Sequence, residues 1–197
     1  MSKPLRGRHF IDTQEWTRDE LELVLETSGD LKRKFYRDEP HALLRDRTLF
    51  MLFWEQSTRT RNSFEAGMTQ LGGHAHDLSP EKLQVSHGET AEDTARVLSR
   101  MGHGIAIRNC DWGKGNAFIR SVAAISRVPV INMQCDKYHP CQAAADLMAG
   151  LDNGTVDFRP TYNGEEEEPE VYPVLLPNLL ANGASGTKFP LGTAGAP

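Results

Sequence analysis

Thr48-Leu49-Phe50-Met51-Leu52-Phe53-Trp54, followed two residues later by Ser57-Thr58-Arg59-Thr60-Arg61-Asn62-Ser63-Phe64-Glu65, reads as a buried strand, a polar turn and the start of a helix. An uninterrupted apolar run of this length suits a strand covered on both faces. At a helix start the first backbone N–H groups lack partners and the dipole end is positive, so hydroxyls and guanidiniums placed there can surround an anion. Ser57, Thr58, Arg59, Thr60 and Arg61 supply three hydroxyls and two guanidiniums within five positions.

The chain on either side repeats the pattern. Downstream, Thr60 to Leu71 predicts a helix stopped by Gly72-Gly73, His74 to Leu78 a strand and Thr90 to Met101 a helix. Gly104 to Arg108 predicts a strand, Asn116 to Ser126 a helix, Val128 to Met133 a strand, and a last helix opens at Pro140 and runs to about Ala149. Upstream, Thr17-Arg18-Asp19-Glu20 has the form of a capping box, and Leu21, Val24, Leu25, Leu31 and Phe35 follow at helical spacing, with Gly29 a weak point. Strands alternating with helices imply an α/β fold: a parallel sheet of about four strands with right-handed crossovers and helices on both faces. Ligands of such sheets bind beyond the carboxyl ends of the strands. Ser57 to Arg61, then Lys82, Gln84 and His87, then Arg108, then His139 and Gln142 each fall at or just after a strand end. Four separated loops thus converge on one edge.

Composition fits this reading. The 197 residues are 39% hydrophobic and 25% charged, as a soluble globular core requires. A net charge of −5 argues against nucleic acid or an anionic membrane as the general partner, so the basic residues after Trp54 are a local device. No apolar run is long enough to span a bilayer and the first residues lack a signal-peptide core, which reads as a cytoplasmic protein. Cys110, Cys135 and Cys141 cannot all pair with one another, so reduced thiols are expected. Cys135, His139 and Cys141 lie near one another in sequence but lack a paired Cys-x-x-Cys and a fourth ligand, so no metal is expected. After Gly150 the helix and strand periods stop. Glu165 to Glu168 and many Pro, Gly and Asn residues predict a low-order, acidic and Gly/Pro-rich tail over 151–197, after a domain spanning 1–150.

Three motifs carry a family resemblance. Ser57-Thr58-Arg59-Thr60-Arg61-x-Ser63-Phe64-Glu65, Gly88-Glu89-Thr90-Ala91-Glu92-Asp93-Thr94-Ala95-Arg96-Val97-Leu98-Ser99-Arg100-Met101 and His139-Pro140-Cys141-Gln142-Ala143-Ala144-Ala145-Asp146, with its His-Pro-x-Gln core, stand in this order after matching strands. Together they resemble the aspartate/ornithine carbamoyltransferases, and the second and third resemble the ornithine branch. The resemblance covers about the first 150 residues, the carbamoyl-phosphate-binding domain of that family. It implies transfer of a carbamoyl group from carbamoyl phosphate to an amine, ornithine giving citrulline in arginine metabolism, in a trimer and without a cofactor. It implies that Ser57, Thr58, Arg59 and Thr60 hold the phosphate. Arg108 would bridge phosphate and carbonyl oxygen, His139 would donate to that oxygen, Gln142 would fix the carbamoyl amide, and Gln84 would contact ligand, often across a subunit boundary. Arg108, His139 and Thr60 are the catalytic candidates. Each residue also has a plain structural reading: His139 as a helix cap, Arg108 as an ion-pair member, Gln84 as surface. Arg61 and Glu65 read as structural, orienting the loop through an ion pair.

Two departures qualify the resemblance. His87 stands where the aspartate branch has lysine, which favours ornithine or a related amine, and Trp54-Glu55-Gln56 differs from the family's commoner lead-in. The second, amine-binding domain and its His-Cys-Leu-Pro motif are not found after Gly150, so the chain reads as truncated. The alternatives are a non-catalytic module that binds carbamoyl phosphate or another anion, and an interaction partner of a full-length relative.

Overall fold

Thr17 accepts from the backbone of Glu20 while the Glu20 carboxylate accepts from the backbone of Thr17, and this reciprocal box starts helix α1, Arg18–Tyr36. The structure, a computed structural model, describes residues 5–152 together with 158–160 and 167–169. Helix α1 continues through Gly29. Thereafter β1 (Thr48–Phe53), α2 (Arg59–Gln70), β2 (His74–Leu78), α3 (Ala91–Met101), β3 (Gly104–Asn109), α4 (Gly115–Ile125), β4 (Val130–Cys135) and α5 (Pro140–Asp152) alternate, with two short 3-10 turns at Pro80–Lys82 and Gln84–His87. Gly72, at φ +79°, ends α2, and Gly73 donates back to Met68, so the predicted stop is a left-handed glycine turn.

The four strands are parallel in the order β2-β1-β3-β4. Even-numbered residues of β1 and odd-numbered residues of β3, Phe50, Leu52, Ile105 and Ile107, pack with Ala95 and Leu98 of α3 and Ile119 and Val122 of α4. The opposite face, with Leu49, Met51, Phe53, Ala106 and Met133, packs with Met68 and Phe64 of α2. Ala145 and Met148 of α5 meet Leu25 of α1. Helices cover both faces, and period-two burial explains why the apolar run of β1 is continuous.

Three details differ from expectation. Strand β4 begins at Val130 rather than Val128, because Pro129 has no N–H to add to a ladder, and it runs on to Cys135 by pairing with Arg108 and Asn109 of β3. The segment before α1 also joins the sheet: the Phe10 N–H donates to Val130 and the Phe10 carbonyl accepts from Asn132, a parallel bridge on the outer side of β4. Within the stretch expected to be irregular, β5 (Phe158–Pro160) and β6 (Glu167–Pro169) form an antiparallel pair. The rest of that expected tail lies outside the described residues.

Candidate functional site

The chain leaves β1 for β2 on one side, then crosses back over β1 to place β3 on the other. The carboxyl ends of β1 and β3 therefore flank the point where the winding reverses, the usual place for a ligand crevice in an open parallel sheet. Arg108 stands at the end of β3, and the Trp54 N–H donates to the Arg108 carbonyl, holding the two strand ends together. The guanidinium is buried, with the residue only 6% exposed. Its Nη1 donates to Thr60 Oγ1 at 3.0 Å and to Ser57 Oγ at 3.2 Å. Its Nε faces Glu55 Oε2 at 3.9 Å, and neither of these sheltered atoms has a hydrogen-bond partner among the described residues. A cation in such surroundings is held by hydroxyls and by one nearby carboxylate, which also accepts from the Cys110 N–H at 2.7 Å.

The first turn of α2 divides its labour. Thr60 is buried and its hydroxyl goes to Arg108. Thr58 and Arg59 are exposed, and Thr58 makes no side-chain cap bond, which leaves its hydroxyl and the helix N-terminus facing outward. Arg61 pairs with Asp77 of β2 and lies over the Phe53 ring, 4.2 Å from its centroid. Arg61 is therefore structural as expected, but its carboxylate partner is Asp77 of the neighbouring strand and not Glu65.

The β4–α5 loop brings the other candidates. Asn132 is fully buried and its amide donates to the Ile11 carbonyl at 2.8 Å and to Cys135 Sγ at 3.3 Å. The sulfur also accepts from the Tyr138 and Lys137 backbone, a tight turn that delivers His139 to the start of α5. The Gln142 N–H donates to the His139 carbonyl and ring Nδ1. Gln142 is buried, its Nε2 donates to Asp146 Oδ1 at 2.6 Å, and its Oε1 has no partner among the described residues. Gln84 and His87 lie exposed on the 3-10 turn after edge strand β2. The structure therefore joins Ser57, Thr60 and Arg108 by direct hydrogen bonds and sets His139 at the end of the loop after the adjacent strand and Gln142 in the first turn of α5. Gln84 stays on the far flank.

Glu55, Gln134 and Asp146 were not among the sequence candidates. Gln134 pairs in register with Arg108, and its buried Oε1 also lacks a partner among the described residues. Asp146 was readable in principle, since a residue four positions after Gln142 on a helix shares its face. Cys110 and Cys141 offer no ready thiolate: burial, reinforced by Glu55, pushes Cys110 up to about 11, and burial pushes Cys141 up to about 12. Among the described residues no three His, Cys, Asp or Glu side chains are grouped to hold a metal ion.

A doubly wound parallel sheet with a buried, hydroxyl-held arginine and a helix N-terminus at its switch point defines the class: an α/β domain whose strand-end crevice is suited to an anion. The family model described as aspartate/ornithine carbamoyltransferase, carbamoyl-P binding domain, matches residues 8–150. The chain belongs to that family. It is 47% identical over 146 residues to an ornithine carbamoyltransferase of Herminiimonas arsenicoxydans, an alignment covering 74% of this chain and 47% of the relative. Among solved structures, ornithine carbamoyltransferase from Pyrococcus furiosus superposes with a TM-score of 0.72 at 42% identity, over 77% of this chain and 47% of that one. The enzyme from Burkholderia thailandensis gives 0.69 at 45%, over 75% and 49%. The chain spans about half the length of the curated relatives it matches. A second family model, that of a DNA gyrase/topoisomerase IV polypeptide, matches residues 140–193, most of which lie outside the described residues.

Proposed function

We propose that residues 1–150 form the carbamoyl-phosphate half of an ornithine-type carbamoyltransferase. The observation that carries this is the buried Arg108 guanidinium, pinned by Ser57 and Thr60 where the sheet reverses. The phosphate sits on the N-terminus of α2, held by Ser57, Thr58, Arg59 and Thr60, where unpaired N–H groups and the dipole favour an anion. Arg108 reaches from there to the carbonyl oxygen, a planar fork suiting two acceptors better than a lysine would. His139 donates to the same oxygen and Gln142 takes the carbamoyl amide.

The amine nitrogen of ornithine forms the new N–C bond and a tetrahedral oxyanion develops. The C–O bond to phosphate then breaks, the phosphate leaves with that electron pair, and the amine gives up a proton. No protein nucleophile takes part. The chain's contribution is position and positive charge aimed at the developing oxyanion and the leaving phosphate. Ornithine as acceptor is favoured by the names of the relatives and by His87 at the position of the aspartate branch's lysine. Assembly as a trimer, with Gln84 meeting a neighbour's ligand, and a role in arginine metabolism in the cytoplasm belong to the same reading. The three unpaired cysteines suit a reducing compartment.

Calorimetry with phosphonoacetate tests the half-site directly. Binding that falls at least tenfold in Arg108→Gln supports the reading, and equal affinity in both chains refutes it. A non-catalytic anion-binding module is the second reading; citrulline formation by this chain alone would exclude it.

A further inference from the structure

Gln142 has a side chain already committed at one end. Its amide nitrogen donates to Asp146 Oδ1 at 2.6 Å, one turn further along α5, while its Oε1 is sheltered and without a partner among the described residues. An ionised carboxylate can only accept hydrogen bonds, so the amide nitrogen must be the atom that faces it. A primary amide is otherwise free to turn over and exchange its donor and acceptor ends. With Asp146 in place, the polar atom left for a ligand is the carbonyl oxygen, and a buried acceptor without a donor carries a substantial penalty until one arrives.

We propose that Asp146 is a positioning residue that sets the specificity of the site: by fixing the rotation of the Gln142 amide, it makes the site demand an N–H donor on the acyl group, selecting carbamoyl over acetyl phosphate. This rests on the carbamoyl-phosphate reading above. The two acyl phosphates have nearly the same shape and differ by NH2 against CH3, so steric fit separates them poorly. A site whose buried oxygen is left unpaired by the methyl compound separates them well. Asp146 is half-buried beneath this contact. Burial holds its carboxyl above the ordinary carboxylate range, and donation from Gln142 pulls it back down.

The test uses the full chain and two stable probes, phosphonoacetamide and 2-oxopropylphosphonate, titrated calorimetrically at pH 8. One extra hydrogen bond to an otherwise unpaired buried acceptor predicts a preference of about tenfold for the amide probe in the native chain. In Asp146→Asn the neighbouring group can donate as well as accept, Gln142 turns freely, and the preference shrinks to about twofold or less while inorganic phosphate binds as before. An unchanged preference in Asp146→Asn overturns the proposal and leaves the carbamoyl-phosphate reading standing. Failure of the native chain to bind phosphonoacetamide or phosphate overturns both. If Asp146→Asn does not fold, the native chain still decides. The Gln142 side-chain amide protons, identified in NMR spectra by their loss in Gln142→Glu, must keep their shifts and slow exchange when phosphonoacetamide binds, and a large shift would show that the amide turns to the ligand.

Discussion

Thr60→Val and Ser57→Ala, singly and together, probe the grip on Arg108. Both hydroxyls accept from the same Nη1, at 3.0 and 3.2 Å, inside a site where the arginine is 6% exposed and Thr60 1%. Valine keeps the shape of Thr60 and removes its hydroxyl. Either single change leaves one of the two Nη1 N–H groups unmatched, but the remaining bond still holds the guanidinium in place while the free N–H readjusts, so each costs about 1 kcal/mol, below the 1.5–3 kcal/mol usual for a hydrogen bond to a charged group. The double change strips both acceptors from Nη1, leaves a buried cation unanchored on that side, and costs about 3 kcal/mol or more, an excess of roughly 1 kcal/mol over the sum. Urea unfolding followed by far-UV circular dichroism, with an unchanged slope across the four chains, measures the cycle. Additivity within about 0.3 kcal/mol would refute the claim that the two hydroxyls serve one guanidinium. The affinity for inorganic phosphate should follow the same cycle, because a guanidinium free to swing no longer meets the ligand at a fixed place.

Two further outcomes follow from other parts of the structure. His9 accepts the Val130 N–H on Nδ1 at 3.0 Å, and burial lowers its pKa below 6.5, only partly offset by Glu15. A depressed pKa contributes stability that is complete above the unfolded value and is lost as pH falls through the folded one. Urea midpoints should therefore drop as pH falls from 7 to 5, and His9→Asn, which keeps an acceptor but does not titrate, should flatten that part of the profile. At Gly115, a Cβ would lie 1.9 Å from the Asn109 carbonyl oxygen, so Gly115→Ala must move the start of α4 off the end of β3. A loss of about 3 kcal/mol or more in the same unfolding assay is expected, and a loss under about 1 kcal/mol would contradict the packing described.

The elements were legible where the period was clean. Thr17 to Glu20 announced α1, and the run from Leu49 to Phe53 announced a strand buried on both faces. Strand order was not legible, because a crossover from β2 to β3 can land on either side of β1 until side-chain packing decides. The site was legible by residue type and only partly by contact. Ser57, Thr60 and Arg108 stood out as hydroxyls and a cation after strands, yet nothing in their spacing said that Thr60 turns inward to Arg108 while Thr58 and Arg59 face out. That division depends on the helix beginning at Arg59 with Thr58 as its cap. Arg61 illustrates the same gap, since its carboxylate partner, Asp77, lies on the neighbouring strand β2 and not one turn along the helix. Glu55 and Gln134 escaped notice because their importance comes from burial beside Arg108, which a strand end and a loop do not advertise.

The bridge between Phe10 and Ile131 has a consequence for biosynthesis. A ribosome releases the chain from its N-terminus, so β1 and β2 can pair early, and the hydroxyl grip on Arg108 closes once β3 has emerged. Phe10 and the buried Ile11 must wait for a partner more than a hundred residues further on. At about 5–20 residues per second that interval is roughly 6–24 s. For that time an apolar segment next to α1 is exposed on the nascent chain.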